Sequence, residues 1–432
     1  MSYQQFLKQK TAGVESTNRP VSTGEVHNYL HGWQREIVAW AATRGRAAIW
    51  ADTGLGKTMM QLEFARITAG NGRALIVAPL AVCQQTCREA EKLGITATYM
   101  RRPDSDVDGI WVTNYEMVDH FPAEDLTTVV LDEASILKQS DGKTRTRLIG
   151  QFGDVPFRLA CTATPAPNDP EELTNQAEFL GRSTRVNMLA AYFIHDSDGW
   201  RLKGHAKSPM FQWMASWAVA IRRPSDMGYD DGAYLLPDLN IIPHLVDVEI
   251  EQEGQLFATD LGGVGGRAKV RRETLQDRCE AAAAIVATDP DESWLIWCGL
   301  NAEAELMEQL LPESVNVHGG WTPEDKADAL LGFADGNIRT LITKPSLAAF
   351  GLNWQHCARM VFVGLSDSYE AYYQAIRRCW RYGQLRPVDA HVVLSSLESQ
   401  IAGNVRKKEN TAAMLSQQMV AAMKEGKNND DQ

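Results

Sequence analysis

Short apolar runs rich in β-branched residues alternate with longer amphipathic stretches over most of the chain. A strand buried on both faces appears as a continuous apolar run, and parallel strands need crossover helices, so this alternation predicts an α/β fold with parallel sheets. The two halves of the pattern are similar in size, which predicts two lobes with a cleft between them. The predicted strands are 47–51, 74–79, 109–115, 127–133 and 157–164 in the first half, and 294–299, 314–319, 340–345, 359–364 and 390–395 in the second.

The same pattern predicts the domain boundaries. Residues 1–24 are polar and have no apolar period, so we expect a flexible N-terminal arm. The alternation defines a first lobe at 25–181 and a second lobe at 241–400. The intervening segment 182–240 is rich in Trp, Phe and Gly and predicts a mostly helical connector. Residues 401–432 predict a polar C-terminal tail with one exposed helix.

Composition narrows the class of protein. Hydrophobic residues make up 44% of the 432 residues and charged residues 23%, which is an ordinary globular balance. No apolar stretch is long enough for a membrane helix, and the seven cysteines are scattered without a C-x-x-C motif, so we expect reduced thiols in the cytoplasm. We also expect a monomer. The net charge of −12 means that any nucleic-acid contact depends on a local basic track.

The segment ADTGLGKT, residues 51–58, lies between a predicted strand and a predicted helix. This is the context of a phosphate-binding loop, in which backbone N–H groups and the helix dipole face the phosphates. Lys57 would reach the β- and γ-phosphates, and Thr58 would bind Mg²⁺. Ala51 stands where the usual pattern has Gly, and the alternative is an ordinary glycine-rich turn. The candidate nucleotide-binding residues here are Thr53, Gly54, Gly56, Lys57 and Thr58.

Two carboxylates end the apolar run VVLDE. Asp132 can coordinate Mg²⁺, and Glu133 can position and deprotonate the attacking water. Acids at strand ends are common and usually only solvated. The carboxyl ends of parallel strands share one edge of a sheet, however, so these acids and the phosphate loop together predict an ATPase.

The segment QAIRRCWRYGQ, residues 374–384, carries a cluster of arginines in the second half of the chain. On a helix, Arg378 and Arg381 share one face, whereas Arg377 is rotated away from it. Arginines that a second lobe brings to a bound nucleotide act as arginine fingers. The alternative is a basic helix, extended by Arg386, that lies on nucleic acid or in solvent.

The ordered motifs resemble those of the superfamily-two helicases. The ending Q-x-x-x-R-x-x-R-x-G-Q is similar to the Swi/Snf-type translocase branch, and the His-Arg-x-Gly-Arg ending of DEAD-box RNA helicases is absent. The compact chain also resembles helicases carried by bacteriophages, for which the host cytoplasm would be the location. The motifs are LHGWQREIVAW, ADTGLGKT, ALIVAP, VTNYE, LDEAS, CTATPAPN, KPSLAAFGLNWQ and QAIRRCWRYGQ.

The resemblance implies two RecA-like lobes that bind ATP and Mg²⁺ in their cleft, and it implies roles for individual residues. Gln34 would read the adenine edge, Gly351 and Asn353 would lie near the nucleotide, and Arg378 and Arg381 would be the fingers. The residues that would couple nucleotide state to lobe closure are Thr162, Ala163, Thr164 and Gln374. The residues that would contact nucleic acid are Pro79, Thr113 and Lys344.

The chain departs from the family pattern at Ser135, which replaces a His or Asp, and at Trp380, which replaces a His. Other conspicuous side chains have ordinary explanations. We expect Trp213 and Trp217 to pack in the core with Trp200, although base stacking is the alternative, and Tyr372 and Tyr373 are equally ambiguous. We expect His318 to be a turn residue. The cysteines expected in the core are Cys279, Cys298, Cys357 and Cys379.

The sequence therefore predicts an ATP-dependent translocase or helicase on double-stranded DNA, which would hold the phosphates and read no bases. Two alternatives stay open: an RNA-stimulated ATPase, and a nucleotide-switched binding module without motor activity.

Overall fold

A computed structural model of the protein describes residues 19–138, 142–197, 199–246, 271–348, 353–365, 368–395 and 399–430. The chain forms two compact units. The first comprises residues 1–232 and 410–432, and the second comprises residues 233–409. Every apolar run predicted as a strand contains one, and the predicted α/β class with two parallel sheets is confirmed.

The first unit is built on a seven-stranded sheet in the order β3-β4-β2-β5-β6-β1-β9, in which all pairings are parallel. Its central strands are almost wholly apolar and buried, because helices cover both faces of a parallel sheet. The strands are β1 (Arg46–Ala51), β2 (Ala74–Ala78), β3 (Ala97–Tyr99), β4 (Ile110–Asn114), β5 (Thr128–Asp132), β6 (Phe157–Cys161) and β9 (Ala218–Ile221). The helices are α1 (Gly32–Arg44), α2 (Lys57–Ala69), α3 (Leu80–Lys92), α4 (Lys143–Phe152), α5 (Leu173–Phe179), α6 (Arg185–Tyr192) and α7 (Lys207–Ala215).

Segment 182–240, expected to be a mostly helical connector, contains strands as well as helices. It contributes β9 to the edge of the first sheet, where Ala48 to Ala51 pair with Ala218 to Ile221. Between α6 and α7 it also forms an antiparallel hairpin of β7 (Phe193–Asp196) and β8 (Gly199–Leu202). A four-residue apolar run such as β9 fits a buried strand or a helix segment equally well, and its place in the sheet decides between them.

Both ends of the described chain are more ordered than the sequence suggests. The side chain of Val21 is buried and its N–H donates to Thr43 Oγ1 at 2.9 Å, so the predicted N-terminal arm already packs on the first unit at this residue. The predicted tail forms one helix, α13 (Ser399–Asp430). Leu415, Met419 and Ala422 on this helix are buried in the core of the first unit, where an exposed helix was expected.

The second unit has a six-stranded sheet in the order β10-β15-β14-β11-β13-β12, again with parallel pairings. Thr322 caps α10 as its sequence predicts, by accepting the N–H of Asp325 at 3.1 Å. The strands are β10 (Leu239–Val246), β11 (Trp294–Cys298), β12 (Val315–Asn316), β13 (Thr340–Thr343), β14 (Arg359–Val363) and β15 (Val388–Ser395). The helices are α8 (Leu275–Val286), α9 (Asn301–Leu310), α10 (Pro323–Ala334), α11 (Pro345–Ala348) and α12 (Tyr369–Ile376).

Most of the conspicuous aromatic residues and cysteines belong to the two cores. Trp217 packs edge-on against Trp50 and Trp213, whereas Trp200 on the hairpin is 37% exposed. Tyr372 is buried against Phe362. The cysteines expected in the core are all buried: Cys279, Cys298, Cys357 and Cys379.

Two further features concern His318 and the character of the helices. His318 is a turn residue, since Nδ1 lies 3.2 Å from the backbone nitrogen of Gly320 and Nε2 lies 3.0 Å from the indole nitrogen of Trp321. Within the part of the chain that the structure describes, no helix combines the length and apolar character needed to span a membrane.

Candidate functional site

The loop between β1 and α2 has the backbone of a phosphate-binding loop. Gly54 and Gly56 have φ angles of 89° and 73°, a left-handed conformation that favours glycine. Gly56 is also the N-cap of α2, so the free N–H groups of the first helical turn face the loop. Lys57 Nζ donates to the carbonyl oxygens of Ala51 and Asp52 at 2.9 and 3.3 Å. The lysine ammonium therefore lies over the loop, and Thr58 follows it in the first turn.

Sheet order brings the acidic pair to the same edge. β6 lies between β5 and β1, with Cys161 paired to Asp132 on one side and to Ile49 on the other. The residues after these three strands therefore meet at one edge: the phosphate loop after β1, Glu133 after β5 and Thr162 after β6. The predicted convergence of loop and carboxylates follows directly from this topology.

Asp132 is buried, and burial raises the pKa of its carboxyl group. Three groups act in the opposite direction: a hydrogen bond from Gln61 Nε2 to Oδ1 at 2.6 Å, the charge of Lys57 and the N–H of Glu133. Tyr115 supports the strand end from the other side, because its hydroxyl donates to the carbonyl oxygen of Asp132 at 2.5 Å. Gln61 was missed in the sequence because it lies outside every quoted motif, and Tyr115, although it lies in the motif VTNYE, was assigned no role there.

Glu133 is held in an unusual conformation. Its φ angle is 54°, the one positive value for a residue other than glycine among the described residues. Such strain is kept where the surrounding structure over-determines it, commonly at functional sites. Thr162 Oγ1 donates to Glu133 Oε2 at 3.2 Å and accepts the N–H of Thr164 at 3.0 Å. The carboxylate is thus connected to the segment after β6, which includes Ala163.

Gln34 lies against the phosphate loop. Its Oε1 accepts the N–H of His31 at 2.8 Å, and its Nε2 donates to the carbonyl oxygen of Leu55 at 3.0 Å. A methyl group on Gly56 would lie 2.4 Å from this amide nitrogen, so the loop glycine makes the close packing possible. Gln34 therefore fixes the loop to the start of α1, and its adenine contact stays a prediction.

The spacing of the arginines in the second unit predicted one continuous helix, but only the first part of the segment is helical. α12 ends at Ile376 and Arg377 is its C-cap, so Arg378 and Arg381 lie in the turns that follow and share no helical face. Two residues of the motif hold these turns. Gln384 Nε2 donates to the carbonyl oxygens of Cys357 and Cys379 at 3.0 and 3.4 Å. Gly383 has a φ angle of 90°, and a methyl group there would lie 2.6 Å from the amide oxygen of Gln355.

The three arginines differ in their surroundings. The guanidinium group of Arg377 lies over two rings of the same unit, 5.1 Å from the centre of Tyr373 and 4.4 Å from that of Trp380. This places Arg377 in a packing role. Arg378 is buried, and burial lowers the pKa of Arg381. Gln374, one turn earlier on α12, is also buried.

The residues expected to contact nucleic acid differ in their exposure to solvent. Thr113 on β4 is fully buried and its hydroxyl donates to the carbonyl oxygen of Met100 at 2.9 Å, and its contact with nucleic acid stays a prediction. Pro79 is the partly exposed N-cap of α3. Lys344 follows β13 as expected, with Nζ 2.5 Å from Asn301 Oδ1. Asn353 is exposed, and Gly351 lies outside the described residues.

The first unit also has a donor set that suits a divalent cation. The carboxylate of Asp132 and the hydroxyl of Thr58 are hard oxygen ligands of the kind that Mg²⁺ prefers. The amide oxygen of Gln61 is buried beside Asp132 and has no hydrogen-bond partner among the described residues. Such an acceptor is suited to a hydrated cation. The residues present therefore fit a magnesium ion.

Two helicase family models match this chain. The family model for the DEAD/DEAH box helicase matches residues 32–173, and the model for the helicase conserved C-terminal domain matches residues 277–383. The SWI2/SNF2 ATPase core of Sulfolobus solfataricus in complex with dsDNA is a similar solved structure. It is 15% identical, the alignment covers 92% of this chain and 96% of that one, and the TM-score is 0.45. No curated protein sequence matches this chain.

A phosphate-binding loop and two acids at one sheet edge, together with the two helicase domains, define a nucleic-acid-dependent ATPase. It uses ATP with a divalent metal ion. The two matched regions together span more than half of the chain, which contains a DEAD/DEAH box helicase domain and a helicase conserved C-terminal domain.

Proposed function

We propose that the protein is an ATP-dependent translocase or helicase of the Swi/Snf type that acts on double-stranded DNA. The observation that carries the motor part is the hydrogen bond between Thr162 and Glu133. It connects the carboxylate that activates water to a segment whose position a motor must change during each cycle. The DNA part is supported by the residue pattern from Gln374 to Gln384.

The described side chains support a division of labour in hydrolysis. Lys57 neutralises charge on the β- and γ-phosphates, and the N–H groups at the start of α2 bind their oxygens. Glu133 orients the attacking water and accepts its proton. Thr58 and Asp132 would hold Mg²⁺, which when bound supplies charge neutralisation for the phosphates. Arg378 and Arg381 stabilise the charge that develops on the transferred phosphoryl group.

A substrate panel tests the proposed function. We expect ATP turnover to be stimulated by duplex DNA more than by single-stranded DNA or RNA, and we expect the protein to displace the third strand of a triplex. Stimulation by RNA alone would favour the RNA-stimulated ATPase. Turnover that no nucleic acid stimulates, without triplex displacement, would favour the nucleotide-switched binding module.

Thr162→Val tests the coupling itself, because it keeps the β-branched shape and removes the hydroxyl. We expect basal turnover within a few-fold of the wild type, with stimulation by DNA reduced by about 10-fold or more, the equivalent of one hydrogen bond to a charged group. Thr98→Val on the edge strand β3 is the matched control. Full stimulation in Thr162→Val would contradict the coupling role.

A further inference from the structure

A cluster of three arginines lies at the sheet edge opposite the ATP site. Arg46 begins β1, and Arg158 is the second residue of β6, the neighbouring strand. The two are direct partners in the register of these parallel strands, so their side chains leave the same face of the sheet. Arg182 joins them from the turn after α5, where its Nε donates to the carbonyl oxygen of Arg46 at 3.1 Å.

Part of this cluster has a structural explanation. Arg158 Nη1 donates to the carbonyl oxygen of Phe179 at 2.5 Å, at the C-terminal end of α5, where a cation is favourable. Arg46 Nε donates to the carbonyl oxygen of Pro156 at 3.0 Å, and its Nη2 lies 3.5 Å from that of Val155. These contacts use one side of each guanidinium group.

The other side of each group remains available. Arg46 Nη1 and Arg158 Nη2 have no hydrogen bond to any of the described residues. Arg158 is 2% exposed, and its Nε is buried without an acceptor in the described part of the chain. Gly181 has a φ angle of 65°, and a methyl group there would lie 2.8 Å from Arg158 Nη2 and 2.9 Å from Arg46 Nη1. Both terminal nitrogens thus lie against Gly181 and are no more than about 6 Å apart, a separation that two oxygens of one tetrahedral oxyanion can bridge.

The charges around this point are strongly unbalanced. Burial and the neighbouring arginines lower the pKa of Arg158 to about 9 and that of Arg182 to about 10. Asp154 is the carboxylate that acts in the opposite direction on Arg46 and Arg158, and its own side chain is exposed. Burial of a cation such as Arg158 is costly when its nearby carboxylate is exposed to solvent, so a bound anion would offset this cost.

We propose that Arg46 and Arg158, beside Gly181, form a binding site for a phosphate-type oxyanion, separate from the ATP site. The site lies at the amino ends of β1 and β6, whereas the ATP site lies at their carboxyl ends. The anion is a free inorganic phosphate-sized ion or a phosphate of a nucleic-acid backbone, and the two sources share this chemistry.

The test measures the binding of inorganic phosphate to the full chain carrying Lys57→Ala, which weakens the phosphate grip of the nucleotide loop. We expect calorimetry at constant ionic strength to show a dissociation constant in the low-millimolar range or below. Adding Arg46→Gln should weaken binding by about 10-fold or more, since a charge-assisted contact is lost. Arg44→Gln is the matched control, because it removes the same charge from an exposed position two residues away.

A second variant and a competition measurement separate a folding defect from lost binding and identify the source of the anion. If Arg46→Gln does not fold, Arg46→Lys keeps the charge but loses the forked donors, and it should still bind phosphate more weakly than the Arg44→Gln protein. If a short DNA duplex competes with phosphate, the natural ligand is a backbone phosphate of nucleic acid. If the duplex does not compete, the ligand is a free anion. Absence of phosphate binding, or equal binding in the Arg46 and Arg44 variants, would overturn the proposal.

Discussion

The hydrogen bond from Gln61 to Asp132 gives a sharp prediction about metal affinity. Gln61→Met keeps nearly the same side-chain volume and removes the amide that donates to Asp132 Oδ1 at 2.6 Å. Both side chains are buried, so water does not readily replace the lost donor. We therefore expect the carboxylate to become a weaker ligand for Mg²⁺, while the lysine and the glutamate of the site are unchanged.

The magnitude follows from the type of bond. A hydrogen bond to a charged group contributes about 1.5–3 kcal/mol, which corresponds to about a 10- to 100-fold change in an equilibrium constant. Groups that orient metal ligands commonly have effects of this size. The hydrogen bond from Gln61 also lowers the pKa of Asp132, whereas burial raises it, so the pKa rises further when the bond is lost. The proton then competes better with the metal, so the defect should be greater at about pH 6 than at about pH 8.

The assay is DNA-stimulated ATP turnover as a function of Mg²⁺ concentration. We expect the Mg²⁺ concentration at half-maximal turnover to rise by about 10- to 100-fold, with turnover at saturating Mg²⁺ within a few-fold of the wild type. Gln85→Met, at an exposed position of α3, is the matched control. An unchanged Mg²⁺ requirement would refute this reasoning, and so would a folded variant that no Mg²⁺ concentration can activate.

Three further predictions follow from the structure. Lys57→Ala should abolish ATP hydrolysis, and Glu133→Gln should bind ATP without hydrolysing it. Nucleotide binding and phosphate release measure the two effects. Wild-type turnover in Glu133→Gln would remove this carboxylate from the mechanism. Arg378→Ala and Arg381→Ala should each reduce DNA-stimulated turnover by about 10³-fold while DNA affinity stays nearly intact. Arg377→Ala should keep most of the turnover and lose about 1–2 kcal/mol of folding stability, because its two ring contacts are removed. An inactive Arg377 variant beside an active Arg381 variant would reverse these roles. Burial raises the pKa of Glu172 to about 7. The contribution of the protonated carboxyl group to folding stability is therefore complete below its ordinary pKa of 4.5 and disappears as the pH rises through about 7, a loss of roughly 3 kcal/mol. Denaturant unfolding at several pH values should show that the stability of Glu172→Gln depends clearly less on pH than that of the wild type. The same pH dependence in both proteins would contradict the shift.

The sequence by itself determined the parallel strands and the phosphate loop. A strand buried on both faces needs an unbroken apolar run, and a strand–loop–helix that binds phosphate needs glycines followed by a lysine; both signals are local. The same holds for Asp132 and Glu133, which end such a run. The family ending from Gln374 to Gln384 was also visible, although the end of α12 at Ile376 was not.

Tertiary structure decided the features that join distant parts of the chain. Gln61 and Asp132 are 71 residues apart, and nothing near either residue indicates that they are hydrogen-bonded. The run at β9 became a strand only because the edge of β1 was open to it.

The burial of α13 follows the same rule. Leu415, Met419 and Ala422 have the spacing of one helix face, so the sequence contained the signal for a buried helix. It did not contain the surface that covers this face. Local patterns are encoded within a few neighbouring residues, whereas the partner of each face is chosen by the packing of the whole fold.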